Sequence, residues 1–105
     1  MAYAQLDARL GRLPFDPGEI WLVSLTAMLL CELDYAQSMA FIVNFGRDND
    51  TAAAVAGTIL GALHGAKGLP QAELTRLLDQ NRPLGQDLEY QAARMVETLR
   101  PQMIP

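Results

Sequence analysis

The sequence is poor in the residues that most often staple a fold or carry chemistry. It has one cysteine, Cys31, and one histidine, His64. A lone cysteine forms no internal disulfide, which suits a reducing compartment. Cys31 lies in an apolar run and reads as an inert core residue. There is no Ser-His-Asp arrangement, no Walker loop and no zinc-ligand spacing. No segment alternates with period two, which argues against strands. The longest uncharged apolar stretches, Ile20–Cys31 and Thr51–Leu63, fall short of the about 18–20 residues that a membrane span needs. The first residues carry acid early and have no apolar signal core, so a soluble, cytoplasmic protein is expected. The net charge of −4 gives no attraction to a phosphate backbone, and no nucleic-acid partner is expected.

What is present is enough to fold. Half of the 105 residues are apolar and 19% are charged, a balance typical of an ordered chain. The length allows one small domain over residues 1–105. Residues 1–13 form a weak helix, with Leu6, Leu10 and Leu13 at helical spacing, which Pro14 and Asp16-Pro17-Gly18 end. A second helix runs from Glu19 to about Glu32. Asp34 caps a third, with Gln37 completing a capping box, and that helix stops near Phe45-Gly46. A fourth, of small residues, runs from Thr51 to Ala66, with Gly65 and Gly68 at its end. Pro70 opens a fifth, striped by Leu74, Leu77 and Leu78. The sixth spans Gln86–Arg100, and Pro101 ends it. The expected fold is all-α: a compact bundle of five or six helices around the Gly/Ala-rich one.

Two of these helices have almost no polar face. Ile20–Cys31 has only Ser24 and Thr26 as polar residues, and Thr51–Ala66 has only His64 as an ionisable group. Helices apolar all round must be covered all round. Five or six short helices cover two such elements poorly, so surface is left for a second copy, a partner chain or a missing part of a larger domain. Ala53, Gly57, Gly61 and Gly65 recur every fourth residue and share one face. Glycine costs about 1 kcal/mol in a helix interior. Close approach of another helix to that face is the expected compensation.

The segment Gly46-Arg47-Asp48-Asn49-Asp50-Thr51 is the part of the chain that looks like chemistry. If it is extended, Asp48 and Asp50 point the same way and converge on one cation, with the Thr51 hydroxyl beside them. Hard cations such as Mg²⁺ and Mn²⁺ take oxygen ligands of this kind. Helix capping is the plain alternative, since Asp, Asn and Thr are all good cap residues. A calcium-binding EF-hand loop is excluded, because Ala53 and Ile59 stand where Gly and Glu are required.

The run from Gly46 through Gly57, Gly61 and Ala62 resembles the C-terminal signature of the ADP-ribosylglycohydrolase family. There a Gly-x-Asp-x-Asp-Thr run opens a small-residue helix of the form Ala-x-x-Gly-x-x-x-Gly-Ala. Trp21–Phe45 resembles the helix pair before that motif, and Gly65–Pro70 the turn after it. The resemblance covers about residues 15–100. It implies an all-α fold holding two Mg²⁺, in some members Mn²⁺, and hydrolysis of the bond between ADP-ribose and its acceptor. By the same resemblance Asp48, Asp50 and Thr51 are metal ligands. Members of the family are longer, and an N-terminal Thr-Asp-Asp run supplies their remaining ligands. No Thr-Asp-Asp occurs in this sequence. The expectation is therefore a fragment or truncated relative with half of the metal site. It binds Mg²⁺ weakly or not at all and is inactive alone. It associates with itself or with a complementing chain, and meets an ADP-ribose-containing substrate only once the site is completed.

The remaining candidates read as structural. Arg47 is one partner of a surface ion pair, with a phosphate of ADP-ribose as the alternative that its forked guanidinium allows. His64 lies about 20 Å along the helix from Thr51 and is structural. Trp21, Tyr35 and Phe41 are core or buried-interface aromatics. Beside the hydrolase reading stands a non-catalytic helical module that uses its uncovered apolar surface for self-association or for a protein partner.

Overall fold

The computed structural model describes residues 1–103. Among them it has six α-helices and no strand: α1 Ala2–Asp7, α2 Pro17–Leu30, α3 Tyr35–Phe45, α4 Asn49–His64, α5 Gln71–Asn81 and α6 Leu88–Met103. Two single 3₁₀ turns, Ala66–Gly68 and Arg82–Leu84, lie between the later helices. The all-α expectation holds. Among the described residues no helix is long and apolar enough to cross a membrane. The chain divides into two compact units, Met1–Leu69 and Pro70–Pro105.

In the first unit, local chemistry sets where helices start. Asp16 caps α2, its carboxylate accepting the Glu19 amide at 3.1 Å, with Pro17 at the first helical position, where its missing N–H costs nothing. Asp34 caps α3 by accepting the Gln37 amide at 2.8 Å. Between them the chain turns through Glu32 and Leu33, both at positive φ, and the Leu33 carbonyl accepts a hydrogen bond from His64 Nε2 at 2.8 Å. His64 is thus a structural tie from the end of α4, away from the acidic loop. Tyr3 pins α1 to α3: its ring lies 4.6 Å from that of Phe41, and its hydroxyl donates to the Phe41 carbonyl at 3.1 Å.

The core of this unit is small and aliphatic, with alanines where α2 and α4 meet. Ile20, Val23, Ala27 and Met28 of α2 meet Ile42 of α3 and Ala52, Ala56 and Leu60 of α4, with Leu6 of α1. Ser24 of α2 is fully buried, and its one hydroxyl proton is shared between the carbonyls of Ile20, at 2.7 Å, and of Ala52, at 3.1 Å. A serine hydroxyl reaching the neighbouring helix's backbone requires close approach of α2 to α4. Ser38 of α3 is equally buried, and its hydroxyl has no hydrogen-bond partner.

Several expectations need correction. The small face Ala53/Gly57/Gly61/Gly65 is not the close-packed one. A Cβ added at Gly57, Gly61 or Gly65 meets nothing within 4 Å. The close approach runs one residue round the helix, along Ala52, Ala56 and Leu60. Two small stripes lie side by side on α4, and spacing does not say which faces a neighbour. Trp21 is half exposed, as are Leu25 and Leu30 along α2 and Leu63 on α4, and Leu29 is more exposed still. Tyr35 and Phe41 do pack on the core. Cys31 is partly buried at the C-cap of α2, outside the core.

In the second unit, the apolar stripe of α5 belongs to an amphipathic helix that turns into α6 through Gly85 in the left-handed conformation. Asp87 caps α6, accepting the Tyr90 amide at 3.0 Å. Arg82 bridges Asp79 and Glu89, at 3.4 and 2.6 Å. Pro101 lies inside α6, which continues to Met103. A proline in the last turn removes one backbone bond, a smaller loss than in a helix interior.

Candidate metal centre

The acidic loop is a tight corner between α3 and α4. Gly46, with φ 85° and ψ −141°, leaves α3 in a conformation that side chains avoid. Arg47 follows with φ 59°. Asp48 stands at the N-cap position, and α4 begins at Asn49, whose amide side chain donates back to the Val43 carbonyl at 3.3 Å. The helix therefore starts two residues earlier than the sequence pattern implied. Asp50 lies in its first turn and is exposed, and the extended alternation expected for Asp48 and Asp50 does not occur. The structure instead pairs Asp48 with Thr51. The Thr51 hydroxyl donates to Asp48 Oδ1 at 3.0 Å.

That pairing bears on the capping alternative. Asp16, Asp34 and Asp87 each accept an amide from the first turn of the helix they open. Asp48 occupies the same kind of position, yet its side chain makes no capping hydrogen bond. Its carboxylate is held by a side-chain hydroxyl and keeps its other oxygen available. A hydroxyl that gives its proton to a carboxylate presents lone pairs to a cation. The donor set of Asp48, Thr51 and Asp50 thus fits a hard divalent ion chemically. It is incomplete: among the described residues no three His, Cys, Asp or Glu side chains come together as a metal site.

Arg47 points away from these oxygens. Its Nε donates to Glu19 Oε1 at 2.8 Å and its Nη2 to Glu19 Oε2 at 2.9 Å, a forked pair. Nη2 also donates to the Gly11 carbonyl at 3.0 Å, and the Gly11 amide donates to Glu19 Oε2 at 3.2 Å. Glu19 is only 5% exposed. The Arg47 hydrogen bonds hold its carboxyl below the ordinary 4.5, against the upward push of burial, and the Gly11 amide adds to the lowering. Arg47 is raised in turn, first by its hydrogen bonds to Glu19. Arg47 was expected in a surface ion pair; it does form an ion pair, but with the buried carboxylate of Glu19, a partner the sequence did not reveal. The one available signal was that Glu19 is the sole charge in an otherwise uncharged helix.

A family model described as ADP-ribosylglycohydrolase matches residues 8–103, which takes in Glu19, the whole loop and helices α2 to α6. No curated protein and no solved structure matches the chain.

Proposed function

The chain belongs to the ADP-ribosylglycohydrolase family, and from that premise we propose that Asp48, Asp50 and Thr51 supply part of a divalent-cation site for hydrolysis of ADP-ribosyl glycosidic bonds. Mg²⁺ suits the all-oxygen donor set, and Mn²⁺ accepts the same ligands. The observation that carries the reading is the use of Asp48: where Asp16, Asp34 and Asp87 each accept a backbone amide, Asp48 takes a side-chain hydroxyl. A bound cation would supply Lewis-acid polarisation and orientation of the substrate oxygens and of water. The contribution of this chain is to hold two carboxylates and a hydroxyl at the mouth of α4, where the helix N-terminus also favours negative charge.

Three ligands do not fix a pair of ions, and no Thr-Asp-Asp run occurs in the sequence to complete the set. We therefore propose that these 105 residues do not hydrolyse ADP-ribosyl bonds alone, and that the missing ligands come from outside them. The exposed row of Trp21, Leu25 and Leu29 on α2 supports a second reading, a helical module that binds through this face. Incubation of the pure chain with Mg²⁺ and a peptide ADP-ribosylated on arginine or serine tests the proposal. No release of ADP-ribose is expected. Release that disappears in the Asp48→Asn/Asp50→Asn variant would overturn the proposed inactivity.

A further inference from the structure

Most positions in the acidic corner have an evident local reason; the left-handed Arg47 does not. Glycine takes such a φ freely, whereas an arginine there holds it at a cost and persists only where its surroundings impose it. Here the surroundings are Glu19 and Gly11. Both carboxylate oxygens of Glu19 are engaged by the Arg47 guanidinium, and Gly11 accepts from that guanidinium and donates to that carboxylate. The result is a closed ring of four hydrogen bonds that joins the segment before α2, the first turn of α2 and the residue next to Asp48.

We propose that Glu19 is the positioning residue of the acidic loop, acting through Arg47 to hold Asp48 out of capping geometry and available as a ligand. The proposal rests on the reading of Asp48, Asp50 and Thr51 as metal ligands, and adds to it the group that sets their place. Asp48 has two uses open to it at the start of α4. It can turn its carboxylate onto the first-turn amides, as Asp16 and Asp34 do, or it can hold the Thr51 hydroxyl and face outward. The backbone at Arg47 decides between them, because it aims the Cα–Cβ bond of the next residue. A guanidinium held at three points fixes that backbone far more firmly than a solvated arginine would. The same geometry removes Arg47 from phosphate recognition, since Nε and Nη2 are committed to Glu19.

The test compares the full chain with Glu19→Gln, Arg47→Lys and Val23→Ala. Glu19→Gln removes the charge of the clamp. Arg47→Lys keeps the charge that neutralises Glu19 but cannot fork, so it reports on the clamp even if Glu19→Gln fails to fold. Val23 is buried on α2, one turn beyond Glu19, and its truncation lowers stability without touching the clamp. Two readouts are taken: backbone amide NMR shifts of residues 46–52, and Mn²⁺ affinity by electron paramagnetic resonance. Both clamp variants should move the loop amides, with the Thr51 amide shifted downfield as Asp48 turns to cap it. Both should bind Mn²⁺ about tenfold or more weakly, as is usual when the support of a metal ligand is lost. Val23→Ala should melt earlier and change neither. Loop amides that stay in place in both clamp variants, or that move equally in Val23→Ala, would overturn the positioning role. A wild-type chain that binds no Mn²⁺ would instead count against the metal reading, while the amide shifts still decide the clamp.

Discussion

Glu19 and Arg47, twenty-eight positions apart in the chain, form a forked ion pair with N···O distances of 2.8 and 2.9 Å, and the carboxylate end of that pair is almost fully buried. A buried pair of this kind is a weak argument for net stability, because desolvation offsets the attraction. Removal of one partner is nevertheless costly, since a charge is left uncompensated. Arg47→Met should lower the melting temperature by roughly 10 °C or more. Glu19→Leu/Arg47→Met should recover most of that loss. A single variant that melts like the wild type would show the pair to be slack.

The pair also predicts an acid limit. The Glu19 carboxyl is held below its ordinary 4.5, chiefly by the Arg47 hydrogen bonds. A lowered folded-state value means that the unfolded chain binds the proton more readily. The contribution of Glu19 is therefore fully present above about pH 4.5 and is lost as the pH falls through the lower folded value. Melting curves between about pH 6 and pH 3 should fall more steeply for the wild type than for Glu19→Leu/Arg47→Met. Parallel curves would remove Glu19 from the account of acid sensitivity.

The glycines of α4 should behave unequally. Gly57 and Gly61 sit in regular helix with open space where a Cβ would go. Gly57→Ala and Gly61→Ala should each stabilise by about 0.5–1 kcal/mol, through the lower entropy cost of alanine in a helix. Gly68 is different: an added Cβ would lie 2.7 Å from His64 Cβ. Gly68→Ala should lower the melting temperature. A loss of stability in the first two variants would restore the close packing that their spacing suggests.

Ser38 should tolerate the loss of its hydroxyl. The oxygen is buried without a hydrogen-bond partner, so it carries a desolvation cost with no return. Ser38→Ala should raise stability by about 1 kcal/mol in thermal or urea unfolding. A clear loss would mean that the hydroxyl has a partner in solution, such as a buried water.

What the sequence made legible was local. Asp34 followed three residues later by Gln37 marks a helix start whatever packs against it, and the structure has that cap at 2.8 Å. The row of Asp, Asn and Thr residues after Gly46 marked the loop from α3 to α4, and the family motif lies on it. What was not legible depends on pairing across distance or on orientation about an axis. Glu19 looked like an ordinary acid in a helix first turn, which it also is; its partner lies two helices away. The stripes Ala52/Ala56 and Ala53/Gly57 have the same four-residue spacing, so only the positions of α2 and α3 select the buried one. The extended reading of Asp48 and Asp50 failed because Asp48 takes the N-cap position as readily as Asp50 would, which moved the start of α4 by two residues.

The central claim is that Asp48, Asp50 and Thr51 form a partial divalent-cation site rather than a helix cap. Titration of the chain with Mn²⁺, followed by electron paramagnetic resonance of the free ion, tests it most directly. The account predicts weak, saturable binding of one ion per chain, competed by Mg²⁺ and abolished in Asp48→Asn/Asp50→Asn with the helical circular dichroism of the chain retained. Absence of saturable binding in the wild type, or equal binding in the double variant, would contradict it.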